Sequence, residues 1–305
     1  MKWSGIGVST HPVTDNESSV FVGAQSELTS LQSFRSAGLI KAFSDFLLNL
    51  YHRRSLIFEM AKRDVASQHL GSLLGFFWTL VHPMILIIIL WVVFDLGFKV
   101  APSNDVPFVV WLTAGLAAWH FFADVVRGST ASIVEHSYLV KKTVFPLSVL
   151  PVVKLLAALV THAIFILLLI LLITLYGLPF SLYWIQAFYY LGAMALLGLG
   201  LSWMTSALNV FFRDTQQIVS VLLQLGFWVT PIFWDLNMMP ERIQYLLKLN
   251  PLYYIVQGYR GSFIYSVPFW GNLQLTGYFW AFTGLAFISG ALMFRRLRPH
   301  FSDII

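Results

Sequence analysis

The sequence predicts an all-α integral membrane protein with six transmembrane helices, an N-terminal amphipathic interfacial helix and a re-entrant helical hairpin before the last span. Three observations carry this. Of 305 residues, 58% are hydrophobic and 11% charged, against about 25% charged in a soluble domain. Asp, Glu, Lys and Arg are absent from residues 65–94, 106–123, 155–212, 215–234 and 261–294. Finally, Lys and Arg are distributed unequally between alternate connections, which is the signature of membrane orientation.

Each element follows in order. Residues 1–38 are polar, Ser-rich and without an apolar run, so they read as a disordered cytoplasmic tail rather than a cleavable signal. In 39–65, Leu39, Phe43, Phe46, Leu47, Leu50, Ile57, Phe58, Ala61 and Val65 recur at helical spacing. Arg53, Arg54, Lys62 and Arg63 lie off that stripe. This segment is too charged to span and reads as an interfacial helix, either an anchor or a moving element at the mouth of a pathway.

A bilayer core takes about 20 apolar residues per helix. The 58-residue stretch 155–212 therefore holds two spans, folded at Tyr176-Gly177-Leu178-Pro179. The six spans fall at 72–94, 107–127, 149–176, 183–208, 216–234 and 272–294. With both termini inside, fifteen Lys and Arg face the cytoplasm, and Lys99, Arg242, Lys248 and Arg260 face outward. The transmembrane domain covers 39–298, and 299–305 form a C-terminal tail. The net charge of +5 is thus an orientation signal and not a sign of nucleic acid.

Between spans five and six, Asp235, Glu241, Arg242, Lys248 and Arg260 forbid a full crossing. Asn250-Pro251 reads as an N-cap followed by a first-turn proline. Two short helices that dip in and return fit this stretch, provided that they pack on protein or line a cavity.

The chemistry is mostly exclusion. No Gly precedes a Lys anywhere, so there is no P-loop. There is no cysteine, hence no disulfide or thiolate metal site. No catalytic, cofactor-binding or metal-binding set emerges. Asp124 and Arg127, three apart, are expected to pair. His82, His120 and His162 lie within spans and read as hydrogen-bonded core residues. Gly198 and Gly200 read as helix-packing contacts. Nothing in the chain supplies power, so a partner must.

The turn "SYLVKKTVFPLSVLP" resembles the cytoplasmic elbow of permeases of the second type of bacterial ABC exporter. "KRDVASQHLGSLLGFFWTLVHPMILIIILWVVF" is similar to that family's entry into span one. The Arg-Asp, Thr-Pro-Ile, Leu-Asn-Pro and Tyr-Arg of residues 213–260 resemble its span five and re-entrant segment. The likeness covers roughly residues 40–295, and the nearest-looking members export lipid-linked polysaccharide.

The resemblance implies a homodimer in the bacterial inner membrane, docked on two copies of an ABC ATPase that bind ATP and Mg. It implies that Lys141, Lys142, Phe145, Pro146 and Leu147 couple to that ATPase, with Phe145 and Leu147 as anchor. It implies that Arg53, Arg54, Lys62 and Arg63 meet a lipid pyrophosphate at a gate. Sugar rings have apolar faces on which aromatics stack, so Phe77, Trp78, Trp91, Phe227, Trp228, Phe233 and Trp234 are candidates for the glycan path.

O-antigen is the favoured cargo; capsule, teichoic acid, drug or simple lipid are the alternatives. An intramembrane glycosyl- or acyltransferase would have to use Asp124, His120 or His162. A non-catalytic scaffold would bind no ATPase.

Overall fold

The computed structural model describes residues 48, 50–67, 75–99, 106–140 and 145–304. Every regular element among them is helical. The principal helices are α1 (Arg54–Ser67), α2 (Trp78–Trp91), α3 (Phe108–Glu135), α4 (Leu150–Leu175), α5 (Gln186–Phe211), α6 (Thr215–Val229), α7 (Glu241–Lys248), α8 (Pro251–Arg260) and α9 (Leu273–Leu297). Five helical segments are long and apolar enough to cross a membrane: Trp78–Gly97, Phe108–Glu135, Leu147–Leu175, Leu182–Phe211 and Leu273–Ile304.

The chain divides into two units, Met1–Ser55 and Leu56–Ile305. In the described part of the first, His52 Nδ1 lies 2.7 Å from the Leu48 carbonyl, and the Arg54 guanidinium sits 4.4 Å from the centre of the Tyr51 ring. The other described helices belong to the second unit.

The helix α3 is its axis. Its most apolar stretch is 89% buried, against 17% for the span begun by α2 and 22% for that begun by α9. A helix apolar all round belongs inside a bundle. Accordingly α3 packs most extensively on α4 and α5, and α5 packs in turn on α9. Two polar contacts cross the α3–α5 seam: Thr130 Oγ1 donates to Thr205 Oγ1 at 2.9 Å and Ser202 Oγ to the Val125 carbonyl at 3.5 Å.

Small residues let the outer helices close in. A Cβ added at Gly200 would stand 2.7 Å from the Phe287 backbone of α9, and one at Gly290 would collide with the Gly200 carbonyl. The expected packing role of Gly200 is therefore real. The turn predicted at Tyr176–Pro179 is present as well, with Gly177 at φ +65°, a conformation that costs glycine least.

Some boundaries differ from expectation. The stretch 39–47 and the whole of 68–74 lie outside the described residues, as does the tail 1–38. Of the predicted α1 stripe, Ile57 and Ala61 are buried, whereas Phe58 is 66% exposed. The second span runs to Glu135, a full two turns beyond the expected end.

The helix expected over 216–234 stops at Val229. The cause is Pro231, which has no N–H and forces Thr230 out of the helical region; Thr230 has ψ 132°. The last residues do not trail away either. Phe301 is fully buried and packs on Phe211 and Phe294, with ring centres 6.0 and 5.7 Å apart.

Candidate functional site: the elbow, the knot and the aromatic cluster

At one end of the bundle lies the elbow between α3 and α4, of which residues 136–140 and 145–149 are described. Lys154, one turn into α4, extends its stem along α3. Residue 128 is glycine, and a Cβ there would come within 3.5 Å of Lys154 Cδ. The ammonium then lies 2.6 Å from Asp64 Oδ1 on α1 and 3.0 Å from Glu135 Oε2 at the end of α3. Trp203 Nε1 of α5 adds a bond to the Ser148 carbonyl at 3.1 Å. The pair expected between Asp124 and Arg127 does not form; the ion pairs among the described residues are those of Lys154. Arg127 is exposed while Asp124 is half-buried, so the two side chains point into different surroundings.

The other end carries a second cation. Arg260, the last residue of α8, is fully buried. It donates to the carbonyls of Pro231 at 2.8 Å, Ile232 at 2.7 Å and Trp111 at 3.4 Å. Its guanidinium carbon stands 3.3 Å from the centre of the Trp111 ring, a close cation–π contact. Pro231 and Ile232 lie in the non-helical stretch just past the end of α6, so the arginine fork pairs two carbonyls that no helix serves.

Asn250 works beside it. Its Oδ1 accepts from Leu252 N at 3.0 Å as the N-cap of α8, and its Nδ2 donates to Thr230 Oγ1 at 2.8 Å. Thr-Pro-Ile, Leu-Asn-Pro and Tyr-Arg, far apart in the chain, are thus one knot in space.

The expected coupling residues are placed as follows. Lys141 and Lys142 lie outside the described residues. Phe145 and Pro146 are half-buried. Leu147 is only 5% exposed and packs within its own chain at the entry to α4, so the outward face at this foot belongs to Phe145 and Pro146. Of the gate candidates, Arg53 is half-buried and Arg54, Lys62 and Arg63 are exposed.

The aromatic candidates separate into groups. Phe233 packs against Phe227 at 5.4 Å and Trp228 at 5.0 Å, and Phe94 joins it at 4.8 Å from the π-turn that follows α2. Trp234 Nε1 donates to the Trp228 carbonyl at 3.1 Å. Within this cluster Phe233 is 3% exposed and Trp228 55%, so Trp228 presents the open face and Phe233 supports it. Trp91 is held by donation to Asp95 Oδ2 at 2.7 Å. Phe77, exposed, and Trp78, stacked on His82 at 5.3 Å, stand at the opposite end of α2, about 20 Å along the helix axis.

His162 is a satisfied core residue. Its Nδ1 faces the Ala117 carbonyl at 3.2 Å and its Nε2 faces the Tyr259 hydroxyl at 3.1 Å. A carbonyl only accepts, so Nδ1 carries the proton and the neutral ring accepts from Tyr259. His120 stacks on Phe165 at 4.9 Å, and its Nε2 has no hydrogen-bond partner among the described residues. Among the described residues no group of three metal-ligating side chains occurs.

Five membrane-length helices, an elbow tied back to its own bundle and a broken helix sealed by an arginine describe a multi-pass membrane domain. Residues 55–264 match the ABC-2 type transporter family, and the chain belongs to that family, whose members are the membrane subunits of transporters rather than catalysts.

Among its relatives are two Klebsiella pneumoniae proteins described as O-antigen export system permease protein RfbA. They are 27% identical over 259 residues and 28% identical over 261 residues, covering 84% of this chain and 97% of each relative. A Myxococcus xanthus protein of the same description is 30% identical over 218 residues, 70% of this chain and 82% of its own length.

Proposed function

We propose that this chain is the channel-forming membrane subunit of an ATP-driven exporter that moves lipid-linked O-antigen polysaccharide across the bacterial inner membrane. The observation that carries the reading is its likeness, over nearly the whole length of the relatives, to permeases described as O-antigen exporters. The chain has no Gly-Lys pair and so no P-loop of its own. Two copies pair in the membrane, and each docks through its elbow on a separately encoded ATPase that holds ATP and Mg²⁺.

Six crossings put both termini in the cytoplasm. The helix α6 spans about 22 Å of the roughly 30 Å core, and the chain bends through residues 230–234 beyond its end. The helices α7 and α8 then fold back as a re-entrant hairpin. Non-helical backbone at that depth needs internal partners, and Arg260 supplies them. The lipid-linked chain enters beside α1, where Lys62 and Arg63 are available for pyrophosphate oxygens. It then slides past aromatic faces such as Trp228.

Deleting the gene and analysing lipid-linked glycan tests this. Polymer accumulating inside on its lipid anchor while the surface is depleted is the expected outcome. Absence of any polymer would point to a synthetic enzyme, and unchanged pools would exclude a glycan cargo.

A further inference from the structure

The residues joined by Lys154 come from three elements: Asp64 from α1, Glu135 from the last turn of α3 and Lys154 itself from the first turn of α4. The elbow 136–149 is therefore bracketed by Glu135 and Lys154, and the ammonium that ties its two feet also holds α1. Lys154 and Asp64 are each 13% exposed, and Glu135 is 50% exposed. A pair shielded to that degree escapes most of the screening that makes surface ion pairs nearly neutral. An ammonium is a compact charge with three rotatable donors, so it keeps hold of both carboxylates while the helices turn. Gly128 leaves the stem its track along α3.

We infer that Lys154 is the mechanical link that makes α1 move with the elbow, so that a thrust on residues 136–149 displaces α1. It is a positioning residue, acting through Asp64 and Glu135 and touching neither nucleotide nor glycan. The inference rests on the reading of this chain as a permease driven at its elbow. Without Lys154 the two carboxylates would face each other and repel, and the elbow could move while α1 stayed behind.

The test uses the complete complex of permease and ATPase, comparing Lys154→Met, Asp64→Asn and Lys154→Arg. Glycan exported per assembled complex should fall about tenfold or more in the first two, a loss within the usual range of coupling between sites. ATP hydrolysis should stay within about twofold, because the link transmits work rather than binding nucleotide. Lys154→Arg should recover most of the export.

The chain has no cysteine, so Asp64→Cys with Lys154→Cys joined by a flexible thiol-bridging reagent should restore export that the unbridged pair lacks. Export per complex at the wild-type level in Lys154→Met would overturn the proposal. So would hydrolysis falling in step with export, which would mean a general structural defect.

A second readout does not depend on the cargo. Spin labels at the exposed positions Phe58→Cys and Tyr138→Cys report α1 and the elbow. Nucleotide should shift both labels together in the wild type and Tyr138→Cys alone in the Lys154→Met background. If the labels behave so but no glycan moves, the cargo assignment fails and the link stands. If the labels move independently in the wild type, the link fails.

Discussion

At the elbow end of the bundle Lys154 faces two carboxylates, whereas at the other end Arg260 faces backbone carbonyls and an indole ring. The two places lie about 36 Å apart along α3, from Glu135 to Trp111. Both hold a cation out of water, which is costly unless the charge is met. The carboxylates are side chains with rotamers, and one of them is half in solvent. The carbonyls belong to the backbone of α3 and of the stretch that follows α6, and cannot swing aside. The first arrangement suits a junction whose parts shift together, and the second suits a fixed point against which they shift.

The comparison breaks most severely at Arg260. Arg260→Met should leave the Pro231 and Ile232 carbonyls unpaired and cost more than about 3 kcal/mol, read as lost yield and a lowered Tm in detergent. Arg260→Lys should rescue little, since one ammonium cannot reproduce the fork. A methionine variant with the wild-type Tm would mean that the knot is dispensable.

Next comes volume. In α8 a Cβ on Gly258 would run into the Tyr190 ring, while Gly284 of α9 has nothing within 4 Å. Gly258→Ala should cost about 1–3 kcal/mol. Gly284→Ala should be neutral or stabilising by up to about 1 kcal/mol, because glycine is a poor helix former. Equal effects at the two sites would show that the fixed end is not tightly packed.

Asn250→Ala removes both the α8 cap and the bond to Thr230, for about 1–2 kcal/mol, measurable as faster exchange of the α8 amides. Wild-type exchange there would remove Asn250 from the knot.

The smallest effect belongs to the half-exposed partner at the elbow. Glu135→Gln should cost less than about 1 kcal/mol, and that cost should shrink with added salt. The Arg260 variants should show no such salt dependence. A salt-insensitive Glu135 effect would erase the proposed contrast between the two ends.

How much of this was legible depends on range. The glycine turn at 177 and the Asn250-Pro251 start of α8 are local, set by one residue's allowed dihedrals or one side chain's reach, and they read correctly. The apolar runs revealed the long helices for the same reason. The length of α6 was misjudged because hydropathy continues through Pro231 while the backbone does not.

Glu135 and Lys154 stand in plain view at the two ends of the elbow, yet Asp64, ninety residues from Lys154, completes the set only through packing. The acceptors of Arg260 carry no side-chain signal at all, since any residue has a carbonyl. From sequence Arg260 reads as one more outward-facing charge, and nothing local marks it as buried.

Read alone, then, the chain determines what short-range chemistry determines: membrane helices, their turns and caps, the absence of a nucleotide loop, and motifs similar to a family of exporters. Only the tertiary structure decides which cation meets which oxygen. Hydropathy and periodicity record a residue's preference for oil or water and for helix or strand. Pairing at 2.6 to 3.0 Å depends on where whole helices come to rest, and that is settled by the packing of α1, α3, α4 and α5 together.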